Sequence, residues 1–241
     1  MGVLGILMLE GKMADVPGCM ASAETFGYPV IRHVVAGSRT PRTQAEAEEM
    51  LPLYVAAAHE LEDRGATVIT ANCGLIALLQ DELSAAVTVP VVTSSLALVP
   101  AVAKLVGNRP VGVLTFFTDA VGERNFRASG WSSDDHPVVL GGVGEHRSWL
   151  EFLQTKELTP ELRERMRRDL SSVVDDMLAR EPSLGAIVCE CTMLPAVLDD
   201  VRASSSVPIF DILTALDWAV SGFERPAAAA SRLTVSGGRV R

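Results

Sequence analysis

Short β-rich runs alternate with longer stretches of helical period along most of this 241-residue chain, and that alternation is the pattern of βα units wound onto a parallel sheet. Runs of strand character cover 3–9, 30–35, 67–70, 89–93, 111–116, 137–140, 186–189 and 208–211. Between them, Thr43 with Glu46 three residues later forms a capping box, and Met50, Leu51, Tyr54, Val55, Ala58 and Leu61 fall on one helical face. Thr159-Pro160 opens a second long helix with Leu162, Met166, Leu170, Val173 and Met177 as its apolar stripe. Each helix has one side to lay on a sheet, so the fold class is α/β.

The two halves are alike. Gly65-Ala66-Thr67-Val68 and Gly185-Ala186-Ile187-Val188 each lead from a helix into a strand that ends at a cysteine, with Cys73 eight and Cys191 six residues after its glycine. A Gly107-Asn108-Arg109-Pro110 turn separates the halves. The expected division is an N-terminal α/β domain of residues 1–107 plus 213–241, the latter carrying a returning helix at 215–223, and a C-terminal α/β domain of 108–212. The tail from Arg225, with its alanines and Gly237-Gly238, reads as frayed.

Composition narrows the function. Hydrophobic residues make up 48% of the chain, enough for a real core. A formal net charge of −9 without a dense Lys/Arg run removes the electrostatic attraction that nucleic acid or an anionic membrane would need. The apolar start at 3–9 is too short to span a bilayer and runs into Glu10, and Ile6 stands where a myristoylation motif needs Ser or Thr. The expectation is a cytoplasmic protein acting on small molecules, with homo-oligomerisation left open. Four cysteines in a chain this long read as thiols rather than as a disulfide framework.

In parallel sheets ligands bind beyond the carboxyl ends of strands. Two such turns carry cysteine: Asn72-Cys73-Gly74, before a helix expected at 75–83, and Glu190-Cys191-Thr192, before one expected at 194–201. A thiol at a helix N-terminus feels the positive end of the macrodipole, which lowers its pKa, and the free N–H groups there can hold a carboxylate. A single cysteine is most often inert core, but two at equivalent turns flanked by Asn, Gly, Glu and Thr are poor filler. Cys189 and Cys191 lack the partner ligands of a tetrahedral zinc site, and Cys189 reads as core. Thr93-Ser94-Ser95, Thr115, Thr118, Glu10 and Asp211 also fall at strand ends, where hydroxyls are equally ordinary as helix caps. His33, His59, His136 and His146 sit in no motif, and nucleotide-binding, serine-hydrolase and zinc-protease signatures are absent.

The motifs Thr70-Ala71-Asn72-Cys73-Gly74, Cys189-Glu190-Cys191-Thr192-Met193-Leu194-Pro195, Val111-Gly112-Val113-Leu114-Thr115 and Val207-Pro208-Ile209-Phe210-Asp211 resemble the aspartate/glutamate racemase superfamily. That superfamily includes hydantoin racemase, maleate isomerase, arylmalonate decarboxylase and an algal dimethylsulfoniopropionate lyase. The resemblance implies two pseudo-symmetric flavodoxin-like domains with the active site between them, and Cys73 and Cys191 as an acid/base pair needing no cofactor or metal. It also implies that Asn72, Thr115, Thr118 and Thr192 help to bind a carboxylate. With the strand-end groups, the candidate substrate-binding set is Glu10, Asn72, Gly74, Thr93, Ser94, Thr115, Thr118, Glu190 and Thr192. Two departures count against a glutamate-specific enzyme: Gly74-Leu75 replaces the Asn-Thr common in the amino-acid racemases, and Cys19 stands where a subgroup including the lyase branch often carries Asp, a position the resemblance would put at the mouth of the cleft.

The expected activity is therefore a racemase or isomerase working on the carbon next to a carboxylate. A carbon–sulfur lyase or decarboxylase is the alternative within the superfamily, and a carboxylate-binding protein without turnover is the alternative outside enzymes.

Overall fold

The structure is a computed structural model that describes residues 2–223; the tail read as frayed lies outside them. Among the described residues, eight strands form two four-stranded parallel sheets. The first contains β1 (Leu4–Leu9), β2 (Val30–Val35), β3 (Val68–Ala71) and β4 (Val91–Val92) in the order β2-β1-β3-β4. The second contains β5 (Val111–Thr115), β6 (Val138–Gly142), β7 (Ala186–Cys189) and β8 (Ile209–Phe210) in the matching order β6-β5-β7-β8. All eight expected strands are present, and the shared order shows the expected likeness of the two halves.

The local chemistry explains where strands shorten. β4 begins after Pro90, which has no N–H to give, and ends where the Thr93 N–H turns to the Gln80 side chain at 2.9 Å instead of a neighbouring strand. β8 ends where Asp211 leaves the sheet to accept the Thr214 N–H at 3.0 Å, capping α8 (Ile212–Ser221). The central strands β1, β3, β5 and β7 are apolar runs buried on both faces, as parallel sheets between helices require. Both first strands carry glycine at their second position: a Cβ on Gly5 would meet Ala66 at 2.9 Å, and one on Gly112 would meet Met177 at 2.6 Å.

The two long helices form as expected. The Thr43–Glu46 capping box starts α1 (Gln44–Asp63), which buries Met50, Tyr54, Ala58 and Leu61. Thr159 caps α6 (Pro160–Arg180), and its whole apolar stripe is buried. The expected helix at 75–83 is instead a 3-10 segment, Gly74–Leu79, followed by α2 (Gln80–Ala86). The helix expected at 194–201 is α7 (Pro195–Arg202). Three further helices complete the set: α3 (Val99–Leu105), α4 (Glu123–Ala128) and α5 (Arg147–Thr155).

Two of these helices exchange sheets. α8 packs Ile212, Ala215, Leu216 and Val220 with Leu4, Ile6, Met8 and Val68 of the first sheet. α3, which precedes the Gly107 turn, packs Val99, Val102 and Ala103 with Val111, Val113, Ala186 and Val188 of the second. Each half thus lends its last helix to the core of the other.

Asp211 is 1% exposed and, besides capping α8, pairs with Arg202 at 2.7 Å. Removing the guanidinium leaves a buried carboxylate without a cation. Arg202→Met should therefore lower unfolding stability in urea by about 2 kcal/mol. An unchanged midpoint would mean that the cap alone satisfies Asp211.

Candidate active site

The order β2-β1-β3-β4 changes winding direction between β1 and β3, and β6-β5-β7-β8 does so between β5 and β7; such switch points leave a crevice beyond the strands. A single cavity of about 610 Å³ takes its walls from the carboxyl ends of all four of these strands. β1 leads into Glu10, Lys12 and Met13, and β3 into Asn72, Cys73 and Gly74. β5 ends on Thr115, Phe116 and Phe117, while β7 leads into Glu190, Cys191 and Thr192. Cys73 and Cys191 are half-buried thiols of this one cavity, contributed by different halves.

Buried hydrogen bonds hold the two turns together. The Thr192 hydroxyl donates to the Asn72 carbonyl at 2.6 Å, across the boundary between the halves. The Asn72 side chain is itself tied down, accepting from the Leu9 N–H at 2.8 Å and donating to the Met13 sulfur at 3.2 Å. Asn72 and Thr192 therefore shape the cavity through contacts within the protein. The Thr115 hydroxyl donates to Glu190 at 2.7 Å, and both are buried.

Six of the nine residues expected to bind substrate line this cavity: Glu10, Asn72, Gly74, Thr115, Glu190 and Thr192. Three do not. Thr93 and Ser94 follow the edge strand β4, away from the switch point, and border a separate hollow of about 190 Å³ with Gln80 and Asp81. The Thr93 hydroxyl donates to Gln80 at 2.7 Å, and Ser94 caps the turn at Ser95–Leu98. Thr118 lies three residues beyond β5 in a 3-10 turn and is exposed.

The thiols differ from expectation in their protonation. The sequence suggested that helix ends would lower both pKa values, but Cys73 is pushed up to about 12, by burial first and then by the Glu190 carboxylate. The Leu75 N–H, the Thr40 hydroxyl and the Ile76 N–H pull it partly back. Cys191 is raised for the same two reasons, and the Met193 N–H alone opposes them. The dipole is weak here because a tight 3-10 segment, rather than an α-helix, follows Cys73, and Cys191 precedes α7 by four residues. Cys189 is fully buried in β7, and burial raises its pKa well above the ordinary thiol range.

Sequence reasoning missed Lys156 and other cavity residues, whereas Cys19, expected at the mouth of the cleft, does line it. The loop after β1 folds against the second half, placing Cys19 in the wall close to Lys156 and Cys191. Lys156 caps the end of α5 in a left-handed conformation, φ 59°, and burial lowers its pKa. Lys12 pairs with Glu157, Arg39 with Glu49 and Arg42 with Asp119, so among the described residues Lys156 is the cavity cation without a carboxylate partner. No signal in the sequence marks it, because its place depends on α5, which has no strong pattern of caps. Among the described residues, no three His, Cys, Asp or Glu side chains converge in a way that could hold a metal ion, and no helix is long and apolar enough to cross a membrane.

No protein-family model matches the chain. The dimethylsulfoniopropionate lyase of Durusdinium sp. clade D is 28% identical over 238 residues, covering 91% of this chain and 74% of its own length. Dimethylsulfoniopropionate lyase 5 of Emiliania huxleyi (strain CCMP1516) is 28% identical over 175 residues, and this chain spans only 34% of its length. Among solved structures, unliganded arylmalonate decarboxylase superposes with a TM-score of 0.60 at 17% identity, covering 97% of this chain and 96% of that one. A glutamate racemase isoform from Bacillus anthracis gives a TM-score of 0.60 at 13% identity over 93% of this chain and 83% of its own. At these identities the likeness to both solved structures is one of fold. The paired parallel sheets expected from the sequence are those observed.

The burial of Cys73 has a direct consequence. Alkylation of Cys73 by iodoacetamide, followed by mass spectrometry, should be slow at neutral pH and keep climbing above pH 9, since its pKa is pushed up to about 12. A rate that levels off below about pH 8.5 would show an activated thiolate in the unliganded site.

Proposed function

We propose that this chain is a cofactor-independent enzyme that moves a proton at the carbon next to a carboxylate, with Cys73 and Cys191 as the acid/base pair. The observation that carries this reading is the placement of two thiols from opposite halves in one cavity. An α-proton beside a carboxylate is a very weak acid, so a positioned base, an acid and hydrogen bonds to the developing enediolate must act together. One sulfur, as thiolate, takes the proton while the other, as thiol, supplies one. Three hydrogen-bond donors favour a thiolate at Cys73, and the Met193 N–H with the nearby Lys156 cation favours one at Cys191, so either sulfur can serve as the base. Lys156, without a carboxylate partner among the described residues, supplies a cation for the substrate carboxylate.

Isomerisation follows if the proton returns on the opposite face. Elimination follows if the β-carbon carries a leaving group, and this second reading is favoured by the sequence likeness to dimethylsulfoniopropionate lyase over 91% of the chain. Met13, Met20, Phe116, Phe117, Leu153 and Met193 give the cavity an apolar wall that suits an uncharged part of a substrate.

Single replacements separate these outcomes. In heavy water, Cys73→Ser and Cys191→Ser should each lower interconversion of enantiomers by about a thousandfold, because a hydroxyl is a poor acid or base at neutral pH. For an isomerase, each variant should still wash deuterium into one enantiomer, and the two variants should prefer opposite hands. For a lyase, product forms with no racemised substrate, and one cysteine alone is indispensable. Full activity in both variants would contradict thiol chemistry altogether.

A further inference from the structure

Two-thiol chemistry leaves a buried carboxyl in the cavity wall without a task. Glu190 is 3% exposed and sits in sequence between the core thiol Cys189 and Cys191. Its Oε2 accepts from the Thr115 hydroxyl at 2.7 Å, and among the described residues Oε1 has no hydrogen-bond partner. Glycine beside Cys73 makes room for it: a Cβ on Gly74 would collide with the Glu190 carbonyl oxygen and with Oε1. Only a residue without a side chain at position 74 leaves this carboxyl its place.

We propose that Glu190 acts as a neutral carboxylic acid, donating a hydrogen bond from Oε1 to the carboxylate of the bound substrate, and that its ionisation closes the site to anions. This inference rests on the carboxylate-binding reading above and assigns one of its contacts. The reason is a limit on charge. A substrate carboxylate, a thiolate and an ionised Glu190 would put three negative charges around one buried cavity, where repulsion is poorly screened. As an acid, Glu190 becomes a donor instead of a third anion, and its hydrogen bond strengthens as charge develops on the enediolate oxygens. It also removes the lesser of the two causes that hold the thiols protonated, burial being the larger.

The surroundings of Glu190 permit the neutral form. Burial moves its pKa up to about 7, with the Thr115 hydroxyl pulling the other way. The titratable and charged groups of the same cavity are Cys73 from the β3 turn, Cys191 from the β7 turn, Cys19, Glu10 and Lys12 from the loop after β1, Arg39 and Arg42 before α1, and Lys156 after α5. Cys189 lies behind it in β7. Lys12, Arg39 and Arg42 are engaged by Glu157, Glu49 and Asp119, and Lys156 interacts with Cys19 and Cys191. No cation acts on Glu190 strongly enough to keep it charged.

The test is binding of propionate, an unreactive small carboxylate, to the whole protein by calorimetry. Wild-type affinity should fall about tenfold between about pH 6 and about pH 8, as the acid form drops from most of the population to a small part of it. Glu190→Gln keeps an acceptor for Thr115 and an N–H donor but cannot ionise, so its affinity should be independent of pH over that range. An undiminished pH dependence in Glu190→Gln would overturn the role of Glu190 while leaving the carboxylate site standing. Absence of propionate binding by both proteins at every pH would overturn the carboxylate reading itself. Should the variant fail to fold, infrared difference spectra of the wild type decide: a protonated-carboxyl stretch present at about pH 6, shifted by propionate and gone by about pH 8, is the expected result. No such band at about pH 6 would overturn the proposal.

Discussion

The cavity exists because two parallel sheets, each buried on both faces of its central strands, are locked carboxyl end to carboxyl end. Buried hydrogen bonds between the halves do this. Thr192 donates to the Asn72 carbonyl at 2.6 Å, Ser95 to the Cys189 carbonyl at 2.5 Å, and the Trp131 indole to the Leu96 carbonyl at 2.9 Å. Each is made where water cannot compete, so losing one leaves a buried group unpaired. The exchange of α3 and α8 adds apolar area to the same lock. Neither cysteine is positioned by its own half alone, since the turn that carries Cys73 is tied through Asn72 to the turn that carries Cys191.

Burial then sets the electrostatics. The same exclusion of water that fixes the geometry raises the thiols of Cys73 and Cys191 and the carboxyl of Glu190 toward their neutral forms. Lys156 is the exception, a cation drawn partly into the wall beside Cys19 and Cys191, and burial acts against its charge too. A bound carboxylate would give that cation a partner, which couples substrate binding to the charge state of the whole site.

Much of this was legible in the sequence because it is written in local patterns. Eight strands could be read from apolar runs between helical stretches, and the turns after β3 and β7 from cysteines flanked by polar residues. What depends on the order of strands was not legible. Thr93 and Ser94 stand at a strand end just as Thr115 does, but β4 is an edge strand and only the ends of β1, β3, β5 and β7 border the switch points, while Thr118 follows β5 too late, in an exposed 3-10 turn. Lys156 reaches the cavity by packing of a helix end from far along the chain, and no spacing in the sequence records that. The protonation of the thiols was misread for a related reason: helix position is a local feature, whereas burial and the nearness of Glu190 are not.

The central claim is that Cys73 and Cys191 face one bound carboxylate from two halves of the chain. Protection from alkylation tests it most directly. Peptide mapping after slow labelling at alkaline pH, with and without a saturating small carboxylate such as propionate, should show both Cys73 and Cys191 protected together, with Cys189 unreactive throughout because it is 0% exposed in β7. Protection of neither thiol, or of one while the other labels unhindered, would contradict a shared site.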